Sequence, residues 1–101
     1  MMIGEPKAGP EMDRLVQSRV LGVDGPAPAY STDIAAAWEL WKKLPRPKRL
    51  HVDTEGVHHC MCGGSDRGAD GSFEPAVWEK AEKMAMAICL AALRWRELSE
   101  G

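Results

Sequence analysis

The segment Met84–Leu93, MAMAICLAAL, constrains the fold more than any other part of the chain. It carries no charge, and as a helix it would be apolar on every side. A helix without a polar face either lies at the centre of a protein or packs against another subunit. The segment is only about half as long as the ~20 apolar residues that cross a bilayer. We therefore expect a central or interfacial helix and no membrane span.

The size of the chain and its charge narrow the class of protein. A chain of 101 residues has room for one domain with one core. Residues 1–9 lack an apolar period, so we expect a flexible N-terminal arm followed by a single domain over residues 10–101. The net charge of −2 argues against a dedicated nucleic-acid-coating protein. Three cysteines, an odd number, and the lack of a signal-peptide pattern predict a cytoplasmic location.

Two helices are predicted in the N-terminal half. Apolar residues at helical spacing predict the first over residues 10–21, and Gly22 is placed to end it. The second begins at Ser31 or Thr32, either of which can cap it, and Pro45 stops it. Its apolar stripe, expected to face the core, consists of Ile34, Ala37, Trp38 and Trp41.

Short strands are predicted after the second helix. Alternating residues from Leu50 to Asp53 form one strand, Glu55-Gly56 forms a hairpin turn, and residues 57–62 form the second strand. Residues 63–71 are glycine-rich and predict an irregular loop. The last helix is expected to start near Pro75, a residue favoured at the first helical position, and to reach about residue 98. The pattern predicts an α+β fold with two N-terminal helices, short antiparallel strands and a long C-terminal helix.

The second strand contains a metal-like pattern. Side chains alternate along a strand, so His58, Cys60 and Cys62 share one face, and His51 on the neighbouring strand is a candidate fourth zinc ligand. Structural zinc motifs, however, space their cysteines by at least two residues. The favoured interpretation is that both cysteines face the core while the histidines face outward. We expect no cofactor, with zinc as the alternative, and we find no catalytic set that would predict an enzyme.

The start of the second helix is a candidate phosphate site. Tyr30, Ser31 and Thr32 bring hydroxyl groups to a helix N-terminus, where free backbone N–H groups favour anions. Arg46 and Arg49 in the basic linker are candidates to complete the charge balance. The alternative is that Ser31 and Thr32 are caps and that the cations are solvated.

Two features predict an interface. Trp95 lies between two arginines, a combination suited to stacking on a base or to a subunit contact. The apolar segment 84–93 offers more apolar surface than a small monomer easily covers, which predicts a homo-oligomer, in the simplest case a dimer.

The segment Tyr30–Glu39, YSTDIAAAWE, resembles the hallmark of the phage ABA-sandwich domain family, which consists of small phage and prophage proteins. The second part of the family pattern resembles Ala87–Leu93, AICLAAL, and two short strands with a variable loop lie between the two parts. The resemblance covers residues 11–95. It implies a small α-β-α sandwich and a phage origin, and it implies no established catalytic residues.

The chain departs from the family pattern at two places. Leu90 stands where relatives often have a basic residue, and His58-His59-Cys60 stands where an aromatic residue is expected. Both departures put a polar site shared with the family in doubt.

These observations lead to an expected function. By analogy with other small phage proteins, we expect a non-catalytic accessory protein that counters host defence by sequestering a nucleotide-derived immune signal in the cytoplasm of the infected bacterium. One alternative is an inhibitor or regulator that binds a host enzyme. Another is a small zinc-binding protein.

Overall fold

A computed structural model describes residues 7–64 and 74–100 of the protein. Along the chain these residues form two N-terminal helices, three strands and a long C-terminal helix. The strands make one antiparallel sheet in the order β1-β2-β3. The predicted α+β fold is confirmed.

The first helix, α1, spans Pro10–Leu15 and continues as a π-helical segment over Val16–Leu21. Pro10 occupies the first turn, where its missing N–H costs no hydrogen bond. Gly22 ends the segment in the left-handed conformation, with φ 63°, as predicted. Residues 1–6 of the predicted arm lie outside the described residues, while the Gly9 amide donates to Ser31 Oγ at 2.8 Å.

The second helix, α2, spans Ile34–Trp41, and its cap differs from the prediction. Asp33 is the N-cap, because its carboxylate accepts a hydrogen bond from the Ala35 amide at 2.9 Å. Neither Ser31 nor Thr32 caps the helix.

The buried face of α2 is also rotated from the predicted stripe. Ala37 and Leu40 are buried, and Leu44 continues the same row after the helix ends. Ile34 and Trp38 were expected in the core but are 52% and 45% exposed. Residues 37, 40 and 44 have the same helical spacing as the predicted stripe, so the sequence pattern fits either row. Contact with the C-terminal helix determines that the row 37, 40, 44 is the buried one.

Strands β1, Lys48–Val52, and β2, His58–Cys62, form the predicted hairpin. Lys48 is opposite Cys62 and Val52 is opposite His58. Asp53 organises the turn, since its Oδ1 accepts hydrogen bonds from the backbone amides of Glu55 and Val57 at 2.9 and 3.0 Å.

Strand β3, Val77–Ala81, replaces the predicted start of the last helix. The expected start near Pro75 is wrong. Val77 is buried and Trp78 is exposed, the alternation of a strand that covers a core with one face. Pairing with the open edge of β2 overrides the helix propensity of Glu79 and Lys80.

The last helix, α3, spans Met84–Glu100 and is the centre of the molecule. It contacts β2 and β3 as well as α2 and the π-helical segment. Its first half is almost entirely buried, as predicted for a helix without a polar face. The buried residues are Ala85, Met86, Ala87, Ile88, Cys89, Ala91 and Ala92.

Candidate functional site

Two of the three hydroxyl residues predicted to hold phosphate lie inside the protein. The Ser31 hydroxyl donates to Asp13 Oδ1 at 2.6 Å, and the Ser31 amide donates to the same oxygen at 2.8 Å. The Tyr30 hydroxyl donates to Gln17 Oε1 at 3.0 Å. Burial, followed by the nearby Cys89 and Asp13, raises the pKa of Tyr30 above its ordinary value. These groups bind the N-terminal helix to the start of α2 and are not on the surface.

The N-terminus of α2 is occupied by the carboxylate of Asp33. A carboxylate satisfies the first free amides and has the same sign of charge as a phosphate. Of the predicted hydroxyl residues, only Thr32 is exposed there. A phosphate ligand at this position stays a prediction, now with a single surface hydroxyl.

A different set of residues forms a surface cleft where α2 leads into β1. Trp41, Arg46, Pro47 and Lys48 line the cleft, which has a volume of about 590 Å³. The cleft is shallow and wide open to solvent, so a ligand there would be held by the placed polar groups and not by enclosure. We refer to these four residues as the α2–β1 cleft.

Lys48 is held in a fixed position within the cleft. Its Nζ donates to the Trp41 carbonyl at 2.7 Å and lies 4.9 Å from the centre of the Trp41 ring. Burial, and then the charge of Arg46, lower the pKa of Lys48 from its ordinary value. Trp38 stacks on Trp41, with its ring centre 6.1 Å from that of Trp41.

Arg46 is the second cation of the cleft and, unlike Lys48, is not held by a contact with the described residues. It is exposed and forms no ion pair or hydrogen bond with the part of the chain that the structure describes. A guanidinium group in this state keeps its donors for a carboxylate or phosphate.

The other predicted ligand residues do not line the cleft. Arg49 lies on the opposite face of β1, in register with Met61 of β2. Trp95 is half-buried in α3 and its ring lies against Gly63. Sequence reasoning selected Arg46, noted Lys48 only as a member of the basic cluster and placed Trp41 in the core stripe. An aromatic residue at the end of the helix that precedes the basic linker was the available signal.

The two strand cysteines face the core, as the favoured interpretation held, but the histidines do not both face outward. His58 shares the cysteine face of β2, and its Nδ1 is buried without a hydrogen-bond partner in the described part of the chain. Cys60, Cys62 and Cys89 are fully buried free thiols. Burial raises the pKa of Cys60 and Cys89 to about 12 and that of Cys62 to about 11. Nucleophilic chemistry needs the thiolate, which these surroundings disfavour.

The alternative zinc ligands are not brought together. In the zinc alternative His51 was a candidate to join His58, Cys60 and Cys62, but it lies on the other face of the sheet, in register with His59. Directly opposed residues of paired strands share a face, and His59 alternates with His58 and Cys60. Among residues 7–64 and 74–100, no group of three His, Cys, Asp or Glu side chains is placed to hold a metal ion.

The outer face of the sheet, turned away from α3, carries a network that sequence reasoning missed. Asp53 Oδ2 lies 2.9 Å from His59 Nε2, and the Trp78 indole N–H donates to His59 Nδ1 at 3.0 Å. His59 is only 9% exposed, whereas Trp78 is 61% exposed. The network was missed because it depends on β3, and residues 77–81 were assigned to a helix.

The apolar segment 84–93, on which the predicted oligomer rested, is covered within the chain. The apolar residues of α3 are covered by the sheet, α2 and the π-helical segment of the same chain. The homo-oligomer stays a prediction. None of the described helices is both long enough and apolar enough to span a membrane.

The fold is similar to a solved phage structure. The crystal structure of a phage protein from Bacillus cereus ATCC 14579 superposes with a TM-score of 0.66 and 20% sequence identity, over 92% of this chain and 95% of that chain. At this identity the similarity establishes a shared fold and nothing beyond it. The sequence matches no protein-family model and no curated protein.

Proposed function

We propose that the protein is a non-catalytic phage accessory protein that binds a small phosphate-containing ligand in the α2–β1 cleft. The observation that carries the proposal is the cleft itself, which places two cations beside an indole ring. Arginine binds phosphate with a bidentate fork, and lysine binds it as a point charge. Lys48 lies over the Trp41 ring and Trp38 stacks on it, so a base would pack against the rim of this indole pair and not on a free face of Trp41. These three groups together fit a nucleotide.

In this proposal the ligand is a nucleotide-derived immune signal of the infected bacterium, and the protein sequesters it in the host cytoplasm. The shared fold with a phage protein supports the phage assignment. The resemblance of residues 30–39 and 87–93 to the phage ABA-sandwich family supports it independently, and membership of that family is part of the proposal.

The ligand set of the proposal is revised from the sequence prediction. Arg46 is retained, and Trp41 and Lys48 are added because they line the same cleft. Tyr30 and Ser31 are left out because their hydroxyls bond within the core.

Calorimetric titration with AMP, adenosine and inorganic phosphate tests the proposal. We expect AMP to bind more tightly than either fragment. Arg46→Gln removes hydrogen bonds to a charged group, which are worth about 1.5–3 kcal/mol, so the Kd for AMP should rise roughly 10- to 150-fold. Lys43→Gln is the matched control, because Lys43 is exposed in the same basic segment but does not line the cleft.

The two variants separate a site from a general electrostatic effect. Equal weakening by Arg46→Gln and Lys43→Gln would mean that net charge, and not the cleft, attracts the anion. The proposal would be rejected if AMP does not bind and if mass spectrometry finds no nucleotide carried through purification.

A second candidate function, a protein-binding regulator of a host enzyme, is favoured by the exposed apolar side of α2. Ile34 and Trp38 are about half exposed, and Trp38 stacks on Trp41. Tryptophan is enriched among residues that dominate binding energy at protein interfaces. A host complex that is lost in Trp38→Glu and kept in Arg46→Gln would support this function over nucleotide binding.

A further inference from the structure

The hydrogen bonds on the outer face of the sheet fix the protonation state of His59. An indole nitrogen is a donor only, so the bond from Trp78 requires a lone pair on His59 Nδ1. The ring hydrogen therefore lies on Nε2, which donates to Asp53 Oδ2 at 2.9 Å. In the arrangement seen here, His59 is a neutral imidazole with both nitrogens bonded.

A second proton on His59 is incompatible with the bond to Trp78. Protonation places a hydrogen on Nδ1, which then faces the indole N–H across 3.0 Å, donor against donor. The bond to Asp53 survives this change and becomes an ion pair. Asp53 is ready for that role, since hydrogen bonds from His59 and from the Val57 amide lower the pKa of its carboxyl to about 2.

We propose that Asp53, His59 and Trp78 form a proton-controlled clamp, which holds the exposed indole of Trp78 against the outer face of the sheet at neutral pH and releases it on acidification. The indole is free to respond, because Trp78 is 61% exposed at the edge strand β3. In the described part of the chain, α3 packs on the other face of the sheet and no helix covers Trp78.

The charged groups that face His59 set the balance of the clamp. Asp53 favours the imidazolium. Lys80 on β3 lies directly opposite His59, and Arg49 on β1 lies on the same outer face of the sheet. Both cations oppose a positive charge on His59. The ring centre of His51 lies 5.6 Å from that of His59, so a proton on His51 would also oppose a positive charge on His59.

The clamp couples a proton to whatever contacts Trp78. By linkage, a partner that binds the clamped indole must lower the proton affinity of His59, and acid must weaken that partner by the same factor. This inference does not depend on the α2–β1 cleft, which lies on other residues.

The test follows the indole and imidazole resonances of ¹⁵N-labelled protein by NMR from pH 8 to pH 5, with the proton as the only ligand. Trp78→Phe assigns the Trp78 signal among the four tryptophans. We expect the Trp78 indole proton and the His59 ring nitrogens to follow one-proton curves with the same midpoint. In His59→Gln the Trp78 curve should disappear, while His51→Gln and His58→Gln should keep it.

Three results would overturn the clamp: a Trp78 signal that stays still while His59 titrates, a Trp78 curve that persists in His59→Gln, or a His59 ring that takes up no proton over this range. If His59→Gln does not fold, the test rests on the unaltered protein, in which the Trp78 and His59 curves must have the same midpoint.

Discussion

At the scale of single residues, the contact between Asp13 and Ser31 shows how a residue that looks like a surface cap can belong to the core. Asp13 is a buried carboxylate, and the amide and hydroxyl of Ser31 both donate to its Oδ1. A buried charge is tolerated only where hydrogen bonds compensate for the lost water. Ser31 therefore stabilises Asp13, and through it the attachment of α1 to the loop before α2.

This contact gives the first prediction. Ser31→Ala keeps the amide donor but removes the hydroxyl, and a hydrogen bond to a charged group contributes about 1.5–3 kcal/mol. We expect the free energy of unfolding in urea to fall by that amount. Thr32→Val is the matched control, since Thr32 is exposed and does not cap α2, and it should change stability little. A larger loss in Thr32→Val than in Ser31→Ala would contradict the assignment.

Asp53 gives a prediction about acid stability. Hydrogen bonds, the largest from His59, lower the pKa of its carboxyl from 3.8 to about 2. A carboxyl with a lowered pKa in the folded state stabilises the fold above its ordinary pKa, and the contribution is lost as pH falls from about 4 through 2. Asp53→Asn should be less stable than the unaltered protein at pH 6, and the difference should shrink below about pH 4.

The control for this effect is Asp24→Asn, an equal change of charge at an exposed position. Urea unfolding at several pH values compares the two variants. A difference for Asp53→Asn that stays constant down to pH 2 would mean that its hydrogen bonds do not lower the carboxyl pKa.

The residues that sequence reasoning placed well are those whose environment is set locally. Gly22 ends its helix because only the backbone conformation matters there, and Cys60 and Cys62 face the core because strand alternation places them together. Ser31 was misplaced because its partner, Asp13, is distant in the chain. Trp38 was misplaced because contact with α3 buries the row of Ala37 and Leu40 instead. No local pattern distinguishes a serine that caps a helix from one that bonds a buried aspartate 18 residues earlier.

At the scale of elements, the sequence predicted the β1–β2 hairpin and the buried α3 but not β3. The hairpin has its turn residues and alternation in one stretch of sequence. Strand β3 has helix-favouring residues and becomes a strand because β2 offers an unpaired edge. The Asp53–His59–Trp78 network joins the β1–β2 turn to β2 and β3, so it could not be predicted without β3.

The approach of the chain to β3 gives a prediction at this scale. Gly64 has φ 74°, and a Cβ there would collide with the backbone of Glu74, Pro75 and Ala76. Gly22 has a similar φ of 63° but open space around it. Gly22→Ala and Gly64→Ala both place alanine in a left-handed backbone conformation, which lowers stability by about 1 kcal/mol. Only Gly64→Ala also brings the new Cβ into collision with the backbone.

We therefore expect Gly64→Ala to lower the melting temperature clearly more than Gly22→Ala does. Thermal unfolding followed by circular dichroism compares the two variants. Equal losses would show that the backbone at residues 74–76 moves away at little cost, and that its contact with Gly64 does not hold β3 in place.

At the scale of the whole molecule, the core is closed by the chain itself. Helix α3 is covered on its sides by the sheet and by the N-terminal helices. Sedimentation at micromolar concentration tests the predicted homo-oligomer. If a dimer forms, its interface must use surface outside the buried half of α3, and Ile34 with Trp38 is the largest exposed apolar pair on α2.

The last prediction concerns zinc, and it decides what the cysteines contribute to the whole fold. If Cys60 and Cys62 are apolar core residues, a strong chelator should leave the melting temperature unchanged. Cys62→Ala should then cost about 1 kcal/mol, a typical value for a point substitution, which lowers the melting temperature of a domain this size by roughly 4–8 °C. If instead these thiols hold zinc, binding is coupled to folding, and chelation or Cys62→Ala should unfold the protein outright. Thermal unfolding with and without chelator, together with elemental analysis of the purified protein, separates the two outcomes. Because Cys60 and Cys62 lie fully buried in the core, and no three His, Cys, Asp or Glu side chains of the described residues are placed to hold a metal ion, we expect the first.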